Sequence, residues 1–170
     1  MEEGFVNKRI EEKEEKSIQR TLFSAIIFRL EENLYAINIE NLREIIFFRT
    51  IYRVPRTNET LLGVINLRGN IIPVFSLNLL LGHQESLKGK NKIFEDERFI
   101  MILREDKNMF GLVVDTIYKN ISVLEGQYKT KEYIKKWLKD DLFDGLILFE
   151  GHEIFTLSIN GLLNYIFSLK

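Results

Sequence analysis

Histidine is the side chain best suited to acid–base or metal chemistry near neutral pH, and this chain of 170 residues carries two, His83 and His152. Neither belongs to an HExxH or comparable metal-ligand spacing, so no catalytic metal is expected. Ser76 and Ser158 have nucleophilic hydroxyls, but neither stands in a G-x-S-x-G elbow. Both precede an apolar helical stretch, where N-capping accounts for them. Asp140, Asp141 and Asp144 cluster as a metal or general-acid group does, yet they lack EF-hand spacing and read as a solvated connection. The glycines form neither G-x-x-x-x-G-K-S/T nor G-x-G-x-x-G, so no phosphate cradle is visible. With no cysteine at all, a disulfide framework, a thiolate metal site and a thiol nucleophile are excluded. No catalytic residue, metal or cofactor is assigned, and the chain is not expected to be an enzyme.

One constellation suits binding. Lys88, Lys90 and Lys92 share a loop, and Lys129, Lys131, Lys135, Lys136 and Lys139 surround Tyr133 and Trp137. Basic side chains interleaved with aromatics are the composition of a nucleic-acid surface on an SH3-like or OB-like module. Against this, 24 basic and 25 acidic residues leave a net charge of −1, which removes the whole-molecule attraction that polyanion binders use. Nucleic-acid binding through the loop 88–92 and the helix 129–139 is therefore the alternative, and no nucleic acid is the first expectation. Steep salt dependence would mark the alternative.

The elements that must position these residues are mostly strands. Residues 1–20 are highly charged, without an apolar run, and read as a solvated, disordered N-terminal tail. No apolar run approaches the roughly 18 residues of a membrane span, so no membrane insertion and a cytoplasmic location are expected. From Leu22 onward, short Ile/Leu/Val/Phe-rich runs alternate with turn residues, as in LFSAIIFRL and LYAINI. Asn38 to Ile46 switches to helical spacing through Ile39, Leu42 and Ile45, which predicts a short helix capped by Asn38. Strands are predicted at Ile45 to Tyr52, Gly63 to Leu67, Asn70 to Phe75, Phe99 to Leu103, Met109 to Val114, Ile117 to Val123, Gly145 to Phe149 and Glu153 to Leu157. A helical turn follows Ser76, and a final helix runs from Ser158 to about Phe167. Thr130 to Asp140 pairs Tyr133 with Trp137 and Ile134 with Leu138, which predicts an amphipathic helix.

The chain also repeats itself. GVINLRGNIIPVFSLNLLL (Gly63 to Leu81) and GLILFEGHEIFTLSINGLL (Gly145 to Leu163) align without a gap and match at eight of nineteen positions. Upstream, Phe28 to Ile45 lies over Leu103 to Asn120. The offset is 75 residues upstream (108 minus 33) and 82 downstream (145 minus 63). A duplication of this kind predicts two similar lobes, and a seam between lobes is a natural binding place. The offsets also place Lys119 and Glu150 where the first half has Glu44 and Arg68. The charges are exchanged, so an ion pair is predicted in each half.

Val54-Pro55 with Leu62-Gly63-Val64-Ile65-Asn66-Leu67-Arg68-Gly69-Asn70-Ile71-Ile72-Pro73-Val74 closely resembles the signature stretch of the CheW-like chemotaxis coupling proteins. Leu34 to Ile37, Arg43 to Ile45, Gly111 to Asp115 and the second repeat support the resemblance, which runs from about residue 20 to the end. It implies a mostly β domain over 21–170, two intertwined SH3-like five-stranded β-barrels with short helices including a C-terminal one. The lobes would be about 21–95 and 96–170. It further implies a non-enzymatic adaptor joining the regulatory domain of the histidine kinase CheA to chemoreceptor cytoplasmic tips, at receptor arrays on the inner face of the membrane. By position, Leu42, Glu44, Gly63, Arg68 and Gly145 fall where family members contact receptor or kinase, and Asn120 aligns with a groove position that is usually apolar. Close packing is the other reading of Gly63 and Gly145, and core packing that of Leu42. The chain departs from the family pattern at Asn58, Ser76 and Thr116.

Overall fold

Eleven strands and three short helices carry the described chain, and two antiparallel hairpins begin its two halves. The computed structural model describes residues 20–83, 97–136, 138 and 141–169. In chain order the elements are β1 (Thr21–Leu30), β2 (Asn33–Asn38), a 3-10 turn (Ile39–Asn41), β3 (Leu42–Phe47), β4 (Leu61–Leu67), β5 (Asn70–Ser76) and α1 (Leu77–Leu80). The second half gives β6 (Phe99–Glu105), β7 (Asn108–Val114), β8 (Thr116–Leu124), a 3-10 turn (Glu125–Gln127), β9 (Tyr128–Thr130), α2 (Lys131–Ile134), β10 (Phe143–Phe149), β11 (His152–Leu157) and α3 (Ile159–Ser168). Ser76 and Ser158 cap α1 and α3, accepting from the backbone N–H of Leu79 and Gly161.

The strands form two sheets, ordered β8-β1-β2-β11-β10-β9 and β3-β6-β7-β5-β4. Under the repeat offsets, β6 is the image of β1, β7 of β2, β3 of β8, β5 of β11 and β4 of β10, so the five shared strands stand in the same order in both. The register repeats as well: Thr156 pairs with Ala36 in parallel, as Val74 pairs with Gly111. Each sheet takes a hairpin from one half and its remaining strands from the other, four in the first sheet and three in the second. The sheets therefore do not divide as consecutive lobes of 21–95 and 96–170; the halves are exchanged, as intertwining requires. β9 makes one sheet six-stranded rather than five-stranded. Its place in the other sheet is taken by a single bridge, Tyr52 to Val64.

Side-chain alternation along the exchanged strands divides the core into three layers. Ala25 and Ile27 of β1 join Ala36, Ile121, Val123, Ile147 and Ile154 inside the first sheet. Ile100 and Ile102 of β6 join Ile65, Ile72, Val74 and Val113 inside the second. The opposite faces, Ile26 and Phe28 of β1 with Met101 and Leu103 of β6, meet in a central cluster with Tyr35, Ile37, Phe110 and Leu112. Strands buried on both faces are continuous apolar runs, and SAIIFRL and FIMIL read that way. The two hairpins are the hinge of the architecture because they serve two layers each.

Two predicted helices shrink. Asn38 accepts a hydrogen bond from the Glu40 N–H at 3.0 Å, but only one 3-10 turn follows before Leu42 enters β3. Pairing with β6 overrides the local helical spacing, because Ile45 and Ile46 are β-branched and bury against opposite clusters. The strand predicted at Ile45 to Tyr52 ends at Phe47. In the second half only Lys131–Ile134 is helical, and the Thr130 side chain makes no capping hydrogen bond. Trp137, Lys139 and Asp140 lie outside the described residues, as do the tail 1–19 and Lys88, Lys90 and Lys92 of the predicted loop.

Candidate interaction site

Both β-hairpin tips of the repeat are built alike. Arg68 and Gly69 have φ of 52° and 88°, and Glu150 and Gly151 have φ of 48° and 79°. Two successive residues at positive φ make the turn whose twist suits tight hairpins. The charged residue therefore stands at the tip. Arg68 Nη2 donates to Glu44 Oε2 at 3.0 Å, and Lys119 Nζ donates to Glu150 Oε1 at 2.8 Å. Glu44 lies on β3 and Lys119 on β8, the outermost strands of their sheets, so each ion pair ties one sheet edge to the hairpin at the other side. Both predicted pairs are present with their signs exchanged. The Glu150 hydrogen bond raises the pKa of Lys119 above the ordinary lysine value, with desolvation opposing it. Glu44 is the more enclosed partner, its side chain 23% exposed against 74% for Arg68.

A bulge in β3 separates Leu42 from Glu44. Leu42 pairs with Leu103 of the central cluster, whereas Glu44 pairs with Ile102 of the second sheet's inner cluster. Leu42 is half-buried against the central layer, and Glu44 meets Arg68 of the hairpin tip. Asn120 is exposed on β8, opposite Ile26 of the central cluster. Its neighbour two residues back, Tyr118, is 55% exposed and stands at a bulge of β8. Leu42, Glu44, Gly63 and Arg68 belong to one sheet, and Asn120 and Gly145 to the other.

Gly63 and Gly145 sit at equivalent bulges of β4 and β10, and both are buried. A Cβ on Gly63 would meet the Tyr52 carbonyl oxygen and the Ile51 side chain; on Gly145 it would meet the Tyr128 hydroxyl and the Lys129 carbonyl. The crossing backbone needs that space. Gly63 also holds φ at 146°, a conformation open to glycine. Tyr128 lies over Gly145, its hydroxyl donating to the Asp144 carbonyl at 3.1 Å. Burial, then Asp144 and Glu132, push its pKa up to about 12.

The lysine-rich face is partly neutralised. Lys131 Nζ pairs with Asp141 Oδ1 at 2.8 Å, and Glu132 lies between Lys131 and Lys135. Sequence reasoning missed one polar junction. The Glu105 carboxylate at the end of β6 accepts from Asn41 Nδ2 at 2.5 Å and from Asn160 Nδ2 at 3.2 Å. It ties the crossover between sheets to the start of α3. Partners 64 and 55 residues apart leave no local signal. Among the described residues no group of three or more His, Asp or Glu is arranged to hold a metal, and no helix is long and apolar enough to cross a membrane.

Two β-sheets that exchange hairpins around a shared apolar layer, each with an ion pair at its hairpin tip, make up the fold. The chain belongs to the CheW-like domain family, whose sequence profile matches residues 24–167. It is 27% identical over 146 residues to the chemotaxis protein CheW of Thermotoga maritima, covering 85% of this chain and 89% of that protein. It is 33% identical over 96 residues to the chemotaxis protein CheW of Helicobacter pylori, covering 56% and 54% respectively. The crystal structure of the scaffolding protein TtCheW from Thermoanaerobacter tengcongensis superposes with a TM-score of 0.70 at 25% identity, covering 82% of this chain and 91% of that one.

Proposed function

We propose that the chain is a non-enzymatic adaptor that couples a CheA-type histidine kinase, through its regulatory domain, to the cytoplasmic tips of chemoreceptors. Its working place is the receptor array on the inner face of the membrane. The observation that carries this reading is the Arg68–Glu44 pair, because it fastens the hairpin of the family-like stretch onto the strand that bears Leu42. Leu42, Glu44 and Arg68 then form one continuous docking edge, with Asn120 on the outer strand of the other sheet. Gly63 and Gly145 act indirectly, by letting the backbone at Tyr52 and at Lys129 cross close over β4 and β10. Control of the kinase follows from holding two partners in fixed register, since a scaffold has no chemistry of its own to modulate. The test is reconstitution of purified chain, kinase and receptor cytoplasmic fragment. The expected result is a ternary complex with receptor-dependent kinase activity, and failure of both to form would refute the reading.

A further inference from the structure

The segment joining β3 to β4 has an unusual composition. From Phe48 to Thr60 it holds three arginines, Arg49, Arg53 and Arg56, against one glutamate, Glu59, and no lysine or aspartate. All three are exposed, and none forms an ion pair with a described residue. Among them the fold leaves apolar side chains in solvent: Phe47 is 75% exposed, Tyr52 65% and Val54 38%. The backbone here is pinned. Phe48 N–H donates to the Arg98 carbonyl at 2.9 Å, and Tyr52 exchanges two hydrogen bonds of 2.9 Å with Val64. The Thr57 hydroxyl donates to the Val54 carbonyl at 3.0 Å. The Arg98 guanidinium lies 4.4 Å from the Phe48 ring centre, and the Phe47 and Phe99 rings are 5.3 Å apart.

An ordered surface rich in arginine and aromatics, without lysine and with a single glutamate at its far end, has the composition of a protein–protein interface core. Polyanionic backbones and lipid headgroups are met by lysine as well as arginine, without a need for exposed Phe and Val. Guanidinium forks instead match carboxylates, often two bonds at a time. The whole chain carries net charge −1, so the attraction is local to this segment. We propose that residues 47–56 dock an acidic segment of a protein partner, its carboxylates on Arg49, Arg53 and Arg56 and an apolar side chain on Phe47 and Tyr52. This surface lies on the β3–β4 connection and stands whether or not the Leu42 edge binds receptor.

The full chain would be titrated with a fluorescent peptide of Glu and Asp containing two Phe, the same peptide with Ser for Phe, phosphatidylglycerol vesicles, and single-stranded oligothymidine. The Phe-containing peptide should bind best. Its Kd should rise at least about tenfold in Arg49→Glu with Arg53→Glu and in Phe47→Ser, and by less in Arg49→Lys with Arg53→Lys. Thermal melting of the arginine variants should match the parent, since these side chains are exposed, and Phe47→Ser should lose only its ring contact with Phe99. Unchanged binding in the Arg→Glu variant, or equal binding of the Phe-free peptide, would overturn the proposal. So would tighter, arginine-dependent binding of vesicles or oligothymidine, which would assign the surface to another class of partner.

Discussion

Arg68 and Glu44 are 24 residues apart in sequence and 3.0 Å apart in the fold, and the equivalent Lys119 and Glu150 repeat the contact with the charges reversed. An exposed pair contributes only about 0–1 kcal/mol to stability. Its consequence lies in where it fixes the hairpin tip. Glu44→Arg should therefore lower the melting midpoint by less than about 4 °C, while reducing receptor-dependent kinase activation severalfold in the reconstituted system. Glu44→Arg combined with Arg68→Glu should recover part of that loss, with a coupling energy on the order of 1 kcal/mol. A double variant no better than the single one would show that the pair does not position the edge.

Leu42 serves two surfaces at once, because it packs on the central cluster and remains partly open. Placing a guanidinium there removes apolar contact and leaves a charge half-desolvated, at a cost of about 1–3 kcal/mol. Leu42→Arg should lose receptor-fragment binding and stability together, whereas Leu42→Met should keep both. Urea titration beside a pull-down checks this. Lost binding in a variant of full stability would mean that Leu42 acts only at the surface.

The glycines predict a graded series. Gly63→Ala adds a Cβ against the Tyr52 carbonyl at a backbone of φ 146°, combining overpacking with strain for about 2–4 kcal/mol. Gly145→Ala meets the Tyr128 hydroxyl and Lys129 carbonyl and should cost about 1–3 kcal/mol. Gly69→Ala meets nothing within 4 Å and keeps only its positive φ of 88°, for about 1 kcal/mol. Denaturant midpoints should follow that order.

Much of this was legible in the chain because duplication doubles every signal. The offsets of the repeat were enough to pair Glu44 with Arg68 and Lys119 with Glu150, since equivalent positions must meet if the halves share a fold. The exchange of hairpins was not visible in the periodicity, because strand pairing such as Ile102 with Glu44 is a long-range choice with no local trace. Leu42 misled for a related reason. A bulge between Leu42 and Glu44 shifts the alternation by one residue, so a 3-10 turn followed by a bulged strand shows apolar residues at 39, 42 and 45 as a helix does. β9 was missed because Tyr-Lys-Thr has little apolar content, and Tyr128 earns its place by covering Gly145. The Arg49–Arg56 segment was passed over because its charges are spread among apolar residues, and only exposure separates it from a core strand.

Tyr128 supplies a pH test of the second sheet. Its folded-state pKa of about 12, raised first by burial and then by Asp144 and Glu132, stands above the ordinary value of 10.0. A raised pKa means that the folded state holds the phenol proton more tightly than the unfolded chain does. The associated stabilisation is present in full below pH 10 and is lost as pH rises from about 10 toward 12. At neutral pH, Tyr128→Phe should cost about 0.5–1.5 kcal/mol, through loss of the hydrogen bond to the Asp144 carbonyl. Between pH 10 and 12 the parent should lose stability more steeply than the variant, and the two urea midpoints should converge. Tyr35, whose pKa is also raised by burial, is present in both proteins and cancels in the comparison. Parallel pH profiles would show that the Tyr128 phenol titrates as it does in the unfolded chain, and that its hydroxyl does not hold β9 against Gly145.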